Sequence, residues 1–392
     1  LSSFSPTSST VYTAIFTPNA EGAATIDVAA GTFTDGAGNN NFAADQFNWS
    51  YDPDAPFGTG SEADPYQIAT LDDLNWITQN SGQWEAYYIQ TADIDASSTG
   101  SWDSGSGFTP IGNSTTKFTG SYNGGGFTIS GLTINRPATH QIGLFGWTTN
   151  GATIQDLGLT NVSITGLDNV GALVGYNRYD NQSIVSNCYS TGTVSGEDFV
   201  GGLVGRIYKI DVTNSYSTCN VTGSEDYVGG LGGQIRDNST VSNCYSTGTV
   251  IGGSAVGGLA GNIHLGSTTV SNCYSTGSVT GTGQVGGFVG SRTSSGIVSN
   301  CFWDTETSGQ ASSDAGTGKT TAEMKTVTTF TDAGWDFEFE TENGTNSYWD
   351  MDLSGAINSG YSFLSWQNGD AVSIVPGCTD PCYANYYADA EI

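Results

Sequence analysis

Two residue sets in this chain are of a type and spacing that could do chemistry. One is a cysteine series, Cys188, Cys244, Cys273 and Cys301, interrupted by Ser215. The other is a carboxylate series, Asp168, Asp198 and Asp226, with Glu197 and Glu225 beside two of its members. Thiols could hold a metal or form disulfides. Carboxylates a few ångströms apart could hold Ca²⁺, or work as acid and nucleophile or base on a glycosidic bond. Each series recurs at the same place in a repeated sentence, first written "VSNCYSTGTVSGEDFVGGLVG" over residues 185–205. That repetition governs both readings.

The apolar residue that opens each glycine box stands at Ile142, Val170, Val200, Val228, Val256 and Val285, with steps of 28, 30, 28, 28 and 29 residues. A period in this range marks a stack of like units. Within a period, short runs bounded by glycine suit strands and tight corners rather than helices. Three strands and three corners fill one period. The fold class expected is all-β: a right-handed parallel β-helix, or β-solenoid, over residues 118–303. With its flanks it would have roughly ten coils and a length of about 50 Å.

In such a stack, equivalent residues meet. Asn187, Asn214, Asn243, Asn272 and Asn300 form one column and suggest an amide ladder. Tyr189, Tyr216, Tyr245, Tyr274 and Phe302 form an aromatic column. Neighbours along a strand point to opposite faces, so Asn and Tyr share one face and Cys takes the other. The alternation leaves open which face is inward.

Zinc sites want close pairs of Cys or His. The cysteines here are one period apart, and the only histidines are His140 and His264. A column of small buried thiols is expected. Disulfides Cys244–Cys273 or Cys273–Cys301 are distance-compatible alternatives. Cys219 aligns with Gly192 and reads as a lone thiol. Cys378 and Cys382, in "CTDPC", flank a turn and are expected to form a disulfide. The carboxylate column has three readings: a solvated turn, a Ca²⁺ site, or the paired acids of a glycoside hydrolase. The glycine boxes have no following helix and no phosphate-binding lysine, so they serve corners. "GTGKTT" (316–321) has Ser313 where a phosphate loop needs glycine.

The chain has 392 residues and a net charge of −29. Residues 1–116 carry 14 acidic and no basic residues, 117–300 carry nine and seven, and 301–392 carry 15 and two. Nucleic acid is excluded as a partner on charge, and no apolar run reaches membrane-spanning length. Without an initiator methionine or signal peptide, the chain reads as a mature or excised piece of a longer secreted protein.

Six segments follow. Residues 1–52 hold strands at 10–18, 24–33 and 45–52, 53–65 form a Pro/Gly/Asp linker, and 66–117 lead into the solenoid. The lead-in carries a capping helix at 70–80, with Thr70 as N-cap and Asp72 and Asp73 in its first turn. The repeats occupy 118–303. Residues 304–375 cap the stack, with a helical turn at 321–325 and closing strands at "YWDMDLS" and "YSFLSWQ". A tail occupies 376–392.

"FTDGAGNNN" and "FNWSYD" resemble the C-terminal half of a bacterial immunoglobulin-like domain. Asp35, Asp52 and Asp54 resemble the oxygen-rich junctions of surface-protein repeats and suggest a second Ca²⁺ candidate. "FVGGLVG", "YVGGLGG", "VGGFVG" and the "NCYSTG" runs resemble the GLUG motif of large bacterial adhesins. With the flanking "DPYQIATLDDLNWI" and "FWDTETSGQ", that resemblance covers about residues 64–366. The tail resembles a short repeat near the C-termini of secreted Bacteroidota-type proteins. The GLUG resemblance assigns no catalytic residue. It implies a non-enzymatic structural or adhesive protein, secreted or at the bacterial cell surface. Its expected partners are copies of itself, other surface proteins or glycans. Because the immunoglobulin-like part is only half a sandwich, donated strands could build a head-to-tail filament. The alternatives are a carbohydrate-active enzyme on a β-helix (hydrolase or lyase) and a glycan-binding module.

Overall fold

A computed structural model describes residues 2–6, 12–15, 22–26 and 29–368, apart from 33, 35, 36, 44, 46, 179, 180, 265, 294, 295, 339–341, 353 and 354. The chain divides into two units, 1–56 and 57–392. In the first, Ser2–Pro6 pairs antiparallel with Tyr12–Ile15, and Gly22–Ile26 pairs antiparallel with Phe47–Tyr51. The strand at 2–6 is additional to the three expected.

The second unit is a β-solenoid of parallel strands. A nine-stranded ladder runs from Tyr66–Ile68 to Ile297–Ser299. Six-stranded, five-stranded and thirteen-stranded sheets complete the circuit. One coil reads Ser183–Ser186, Tyr189–Gly196, Val200–Gly201 and Val204–Tyr208, one strand from each sheet. Each coil thus has four sides, not three. The extra side is the two-residue strand at the glycine box, too short to stand out from the corners around it. Six strands on the six-stranded sheet mark about six coils, and the nine-stranded ladder spans about 40 Å at parallel-strand spacing. The expected ten coils counted flanks that do not close a circuit.

The repeated "NCYS" now has a residue-by-residue explanation. The Asn column adopts left-handed backbone, φ from 49° to 53°, at the corner before the thirteen-stranded sheet. Asn tolerates that region better than most side chains. Cys188, Cys244, Cys273 and Cys301 point inward and are buried, so the Cys face is the core face. The Tyr column points outward. Ser190, Ser246 and Ser275 point inward and donate to the carbonyls of Gly202, Gly258 and Gly287 at 2.6–2.8 Å. They bond backbone acceptors buried at the glycine corner.

Both ends of the stack are covered. At the start, the helix Leu71–Gln79 opens with a capping box in which Thr70 and Asp73 bond reciprocally, and it buries Leu74, Trp76 and Ile77. Within the expected linker at 53–65, Phe57 bridges to the first strand, where Gln67 donates to the Phe57 carbonyl at 2.7 Å. At the far end, Trp303 interrupts the serine column. Ser313 Oγ accepts from the amides of Phe288 and Val289 at 3.2 and 2.8 Å. Beyond residue 320 the chain, expected to close the stack, instead turns back along its flank. Helical turns Thr321–Met324 and Thr328–Thr331 and the antiparallel pair Trp349–Met351 with Ser362–Leu364 lie over the aromatic column.

Candidate functional site

The carboxylate column is a backbone ladder. Asp168 accepts from the Asp198 amide at 3.3 Å, Asp198 from the Asp226 amide at 2.7 Å, and Asp226 from the Ser254 amide at 3.2 Å. His140 Nδ1 lies 3.0 Å from the other Asp168 oxygen. Partial burial, reinforced by the charges of Asp168 and Asp226, raises the Asp198 carboxyl above its usual range against the pull of the Asp226 amide. Glu197 and Glu225 are exposed. The three aspartates stand in file on one corner, each oriented to the next coil's amide. They do not face one another across a cleft, which is the geometry acid–base hydrolysis requires. Among the described residues, no cluster of three or more His, Cys, Asp or Glu side chains could hold a metal ion. Asp52 accepts from the Asp54 amide at 2.9 Å and closes a turn with it. Asp35 lies outside the described residues, as do Cys378, Cys382 and the tail.

The thiol column is packing. Cys188, Cys219, Cys244, Cys273 and Cys301 are free and buried, so neither distance-compatible disulfide forms. Each column thiol donates to the carbonyl two residues before it, at 3.1–3.2 Å. Burial pushes the Cys188 thiol up to about 12 and the Cys273 thiol well above the ordinary range. Burial thus favours the protonated form of Cys188 and Cys273 at neutral pH.

The outward face is where the chain makes a concave site. The rings of Tyr274, Tyr245, Tyr216 and Tyr189 stack at 5.0, 4.7 and 4.9 Å between centroids, within 6° of parallel. The returning segment covers most of this stack. Trp335 Nε1 donates to Asn300 O at 2.8 Å, Trp349 Nε1 to Asn243 Oδ1 at 3.4 Å, and Trp366 Nε1 to Asn214 O at 3.1 Å. Tyr245 and Tyr274 are therefore buried, while Tyr216 and Tyr189 remain half-buried. The expected amide ladder exists as separate rungs, Asn243 Nδ2 to Asn214 Oδ1 at 3.2 Å and Asn187 Nδ2 to Asp156 Oδ1 at 2.8 Å. Trp349 also bonds the Asn243 side chain, whereas Trp335 and Trp366 bond the backbone carbonyls of Asn300 and Asn214.

One coil below Tyr189 the aromatic register position is Gly158. The Tyr189 ring lies across it so closely that a Cβ there would come within 2.5 Å of the ring. Beside this end of the stack a cavity of about 720 Å³ opens, lined by Gly125, Gly126, Asp156, Asn187, Tyr189 and Trp366. Tyr189 and Trp366 stand 6.1 Å apart, tilted by 37°. Asp156 is held by Asn187 on one oxygen and by Gln155 Nε2 at 3.1 Å on the other. Sequence reasoning did not single out Asp156 or Trp366. Aligning "QDLGL" with "SNCYS" would have placed Asp156 in the Asn column and Gly158 in the Tyr column. No periodicity points to Trp366.

Comparison with known proteins fits this architecture. Residues 1–51 match the bacterial Ig-like domain family, and residues 166–195 and 225–251 match the GLUG motif. Halomucin of Haloquadratum walsbyi is 40% identical over 153 residues, which are 38% of this chain and 2% of halomucin. A candidate Gly-rich membrane protein of Evansella cellulosilytica is 36% identical over 132 residues, 33% of this chain and 15% of that protein. The matches thus span a small part of either relative. A crystal structure of a candidate immunoglobulin A1 protease from Bacteroides ovatus superposes with a TM-score of 0.57 at 18% identity, over 79% of this chain and 94% of that one. At that identity the likeness is one of fold. Among the described residues no helix is long and apolar enough to cross a membrane. The chain thus resembles a bacterial Ig-like domain over residues 1–51 and carries GLUG-motif matches within its β-solenoid.

Proposed function

We propose that this chain is a non-catalytic structural and adhesive segment of an extracellular surface protein, in which the solenoid is a stiff spacer. One observation carries the reading: the residues that could do chemistry are used as scaffold. Column thiols bond to core carbonyls, and column carboxylates to the amides of the next coil. The relatives, halomucin and a Gly-rich membrane protein, support a place at the cell surface. The two antiparallel strand pairs of residues 1–51 support a further step, in which strands exchanged between copies complete the Ig-like fold and join copies head to tail. Calcium at the acidic turns, other surface proteins and glycans complete the set of proposed partners.

The test is to image the native protein by cryo-electron microscopy and to measure its mass by light scattering. Filaments or surface-attached rods support the reading. Isolated soluble monomers would remove the assembly step. A screen of polysaccharide cleavage serves the enzymatic alternative. Activity that disappears with Asp198→Ala plus Asp226→Ala would overturn the non-catalytic assignment.

A further inference from the structure

We propose that the cavity between Tyr189 and Trp366 is a subsite for a neutral pyranose unit of an oligosaccharide. The proposal rests on the adhesive reading and gives it a location and a ligand class. Three features carry it.

The first is the aromatic wall. Tyr189 is the end ring of a four-membered stack and is supported from behind by Tyr216. Trp366 is fixed by its bond to Asn214 and stands beside both rings. A pyranose presents an apolar C–H face that packs on such rings. Rings already held in place lose little entropy when they receive it.

The second is a polar partner set beside the wall. Asp156 has each oxygen engaged by one amide donor. A carboxylate accepts about four bonds, so each oxygen retains capacity for a sugar hydroxyl. Apolar contact with a few placed polar groups is the common composition of a small-molecule site, and the cavity volume lies in the usual range.

The third is charge. An aspartate lines the cavity of a chain with net charge −29, so uronates and sulfated sugars are repelled and neutral sugars are not. Gly125 and Gly126 supply the room, and Gly158, with no side chain, lets the Tyr189 ring lie across it. Tyr189 and its neighbours in later coils bring side chains where Gly158 brings none.

The experiment titrates the full chain with cellohexaose, laminarihexaose, mannohexaose and chitohexaose, and with hexagalacturonate as the acidic control. Saturation-transfer NMR and calorimetry read the binding. At least one neutral hexasaccharide should bind saturably and hexagalacturonate should not. Tyr189→Ala and Asp156→Ala should each weaken binding by about tenfold, the scale of one lost aromatic or charged contact. Tyr189→Phe should retain it, and an unchanged near-ultraviolet circular dichroism spectrum will show that the returning segment is still seated. Saturable binding by none of the neutral probes, equal binding of hexagalacturonate, or binding undiminished in both alanine variants would overturn the subsite. A chain that binds no sugar but forms surface rods leaves the structural role standing without the subsite. A chain that binds sugar but is absent from the surface leaves the subsite without that role.

Discussion

The Tyr361 hydroxyl donates to the Asp304 carboxylate at 2.7 Å, joining the end of the strand Phe302–Asp304 to a residue 57 positions later. Asp304 also accepts from the Glu306 and Thr307 amides, at 2.9 and 3.0 Å, and from the Thr321 hydroxyl at 2.7 Å. One buried carboxylate thus caps a helical turn and anchors the segment that folds back over the tyrosines.

Acid should release that anchor. Burial alone would raise the Asp304 carboxyl, but the bonds from Thr307, Tyr361, Thr321 and Glu306 outweigh it and hold it below the ordinary range. A depressed folded-state value means stability that is full above the unfolded value, about 3.9, and lost as pH falls through the folded one. Asp304→Asn should cost about 1–3 kcal/mol at neutral pH. Denaturant melts followed by tryptophan fluorescence should show that difference shrinking in acid. An equal difference at every pH would contradict the assignment.

Trp349→Ala should unseat the returning segment. Trp349 is fully buried, with its ring 4.5 Å from Trp335. Removing it should cost about 3–5 kcal/mol. Burial now pushes the Tyr245 and Tyr274 hydroxyls far up. In the variant these two should titrate closer to ordinary tyrosines, which an ultraviolet pH titration will count.

Serine should replace cysteine in the thiol column at little cost. Ser215 already occupies the column and donates to Thr213 O at 2.7 Å, as the thiols do to their own carbonyls. Cys244→Ser should change stability by less than about 1 kcal/mol. In the native protein the five buried thiols should react with a thiol reagent only as fast as the solenoid opens, which a time course against unfolded protein will measure.

The Asp198 column should respond to pH with the opposite sign from Asp304. Its raised carboxyl favours the neutral form in the folded state, so stability rises as pH falls from above the folded value toward the unfolded one. Asp198→Asn keeps an acceptor for the Asp226 amide and removes the charge. It should match or exceed the parent in melting temperature at neutral pH and lose this part of the pH dependence. Marked destabilisation at all pH values would show the charge itself to be needed.

The columns were legible in the sequence because a solenoid turns period into contact. Asn187, Cys188 and Tyr189 could be assigned to their columns, and to alternating faces, from spacing alone. Which face was inward could not be read, since a small thiol and an aromatic ring both suit a core. The choice became visible only with the segment carrying Trp349 and Trp366, whose contacts with the tyrosines are far apart in sequence and follow no period. The carboxylates were legible as a column but not in role, because their partners are amides of the next coil rather than side chains. The cavity was hidden for a related reason. It depends on the absence of a side chain at Gly158 and the presence of one at Trp366, and no local pattern links them.

The returning segment also turns the number of coils into a setting. Its tryptophans seat by distance from the last coil, whereas Gly158 belongs to a coil near the first. If recombination between near-identical repeats added one coil, the fold would accept it, but Trp366 would sit one tyrosine short of the end of the stack, about 4.8 Å from its present level. Deleting one coil would instead bring Trp366 level with Gly158. Unequal exchange of repeats would lengthen or shorten the rod and, in the same event, open or close the recess at its flank.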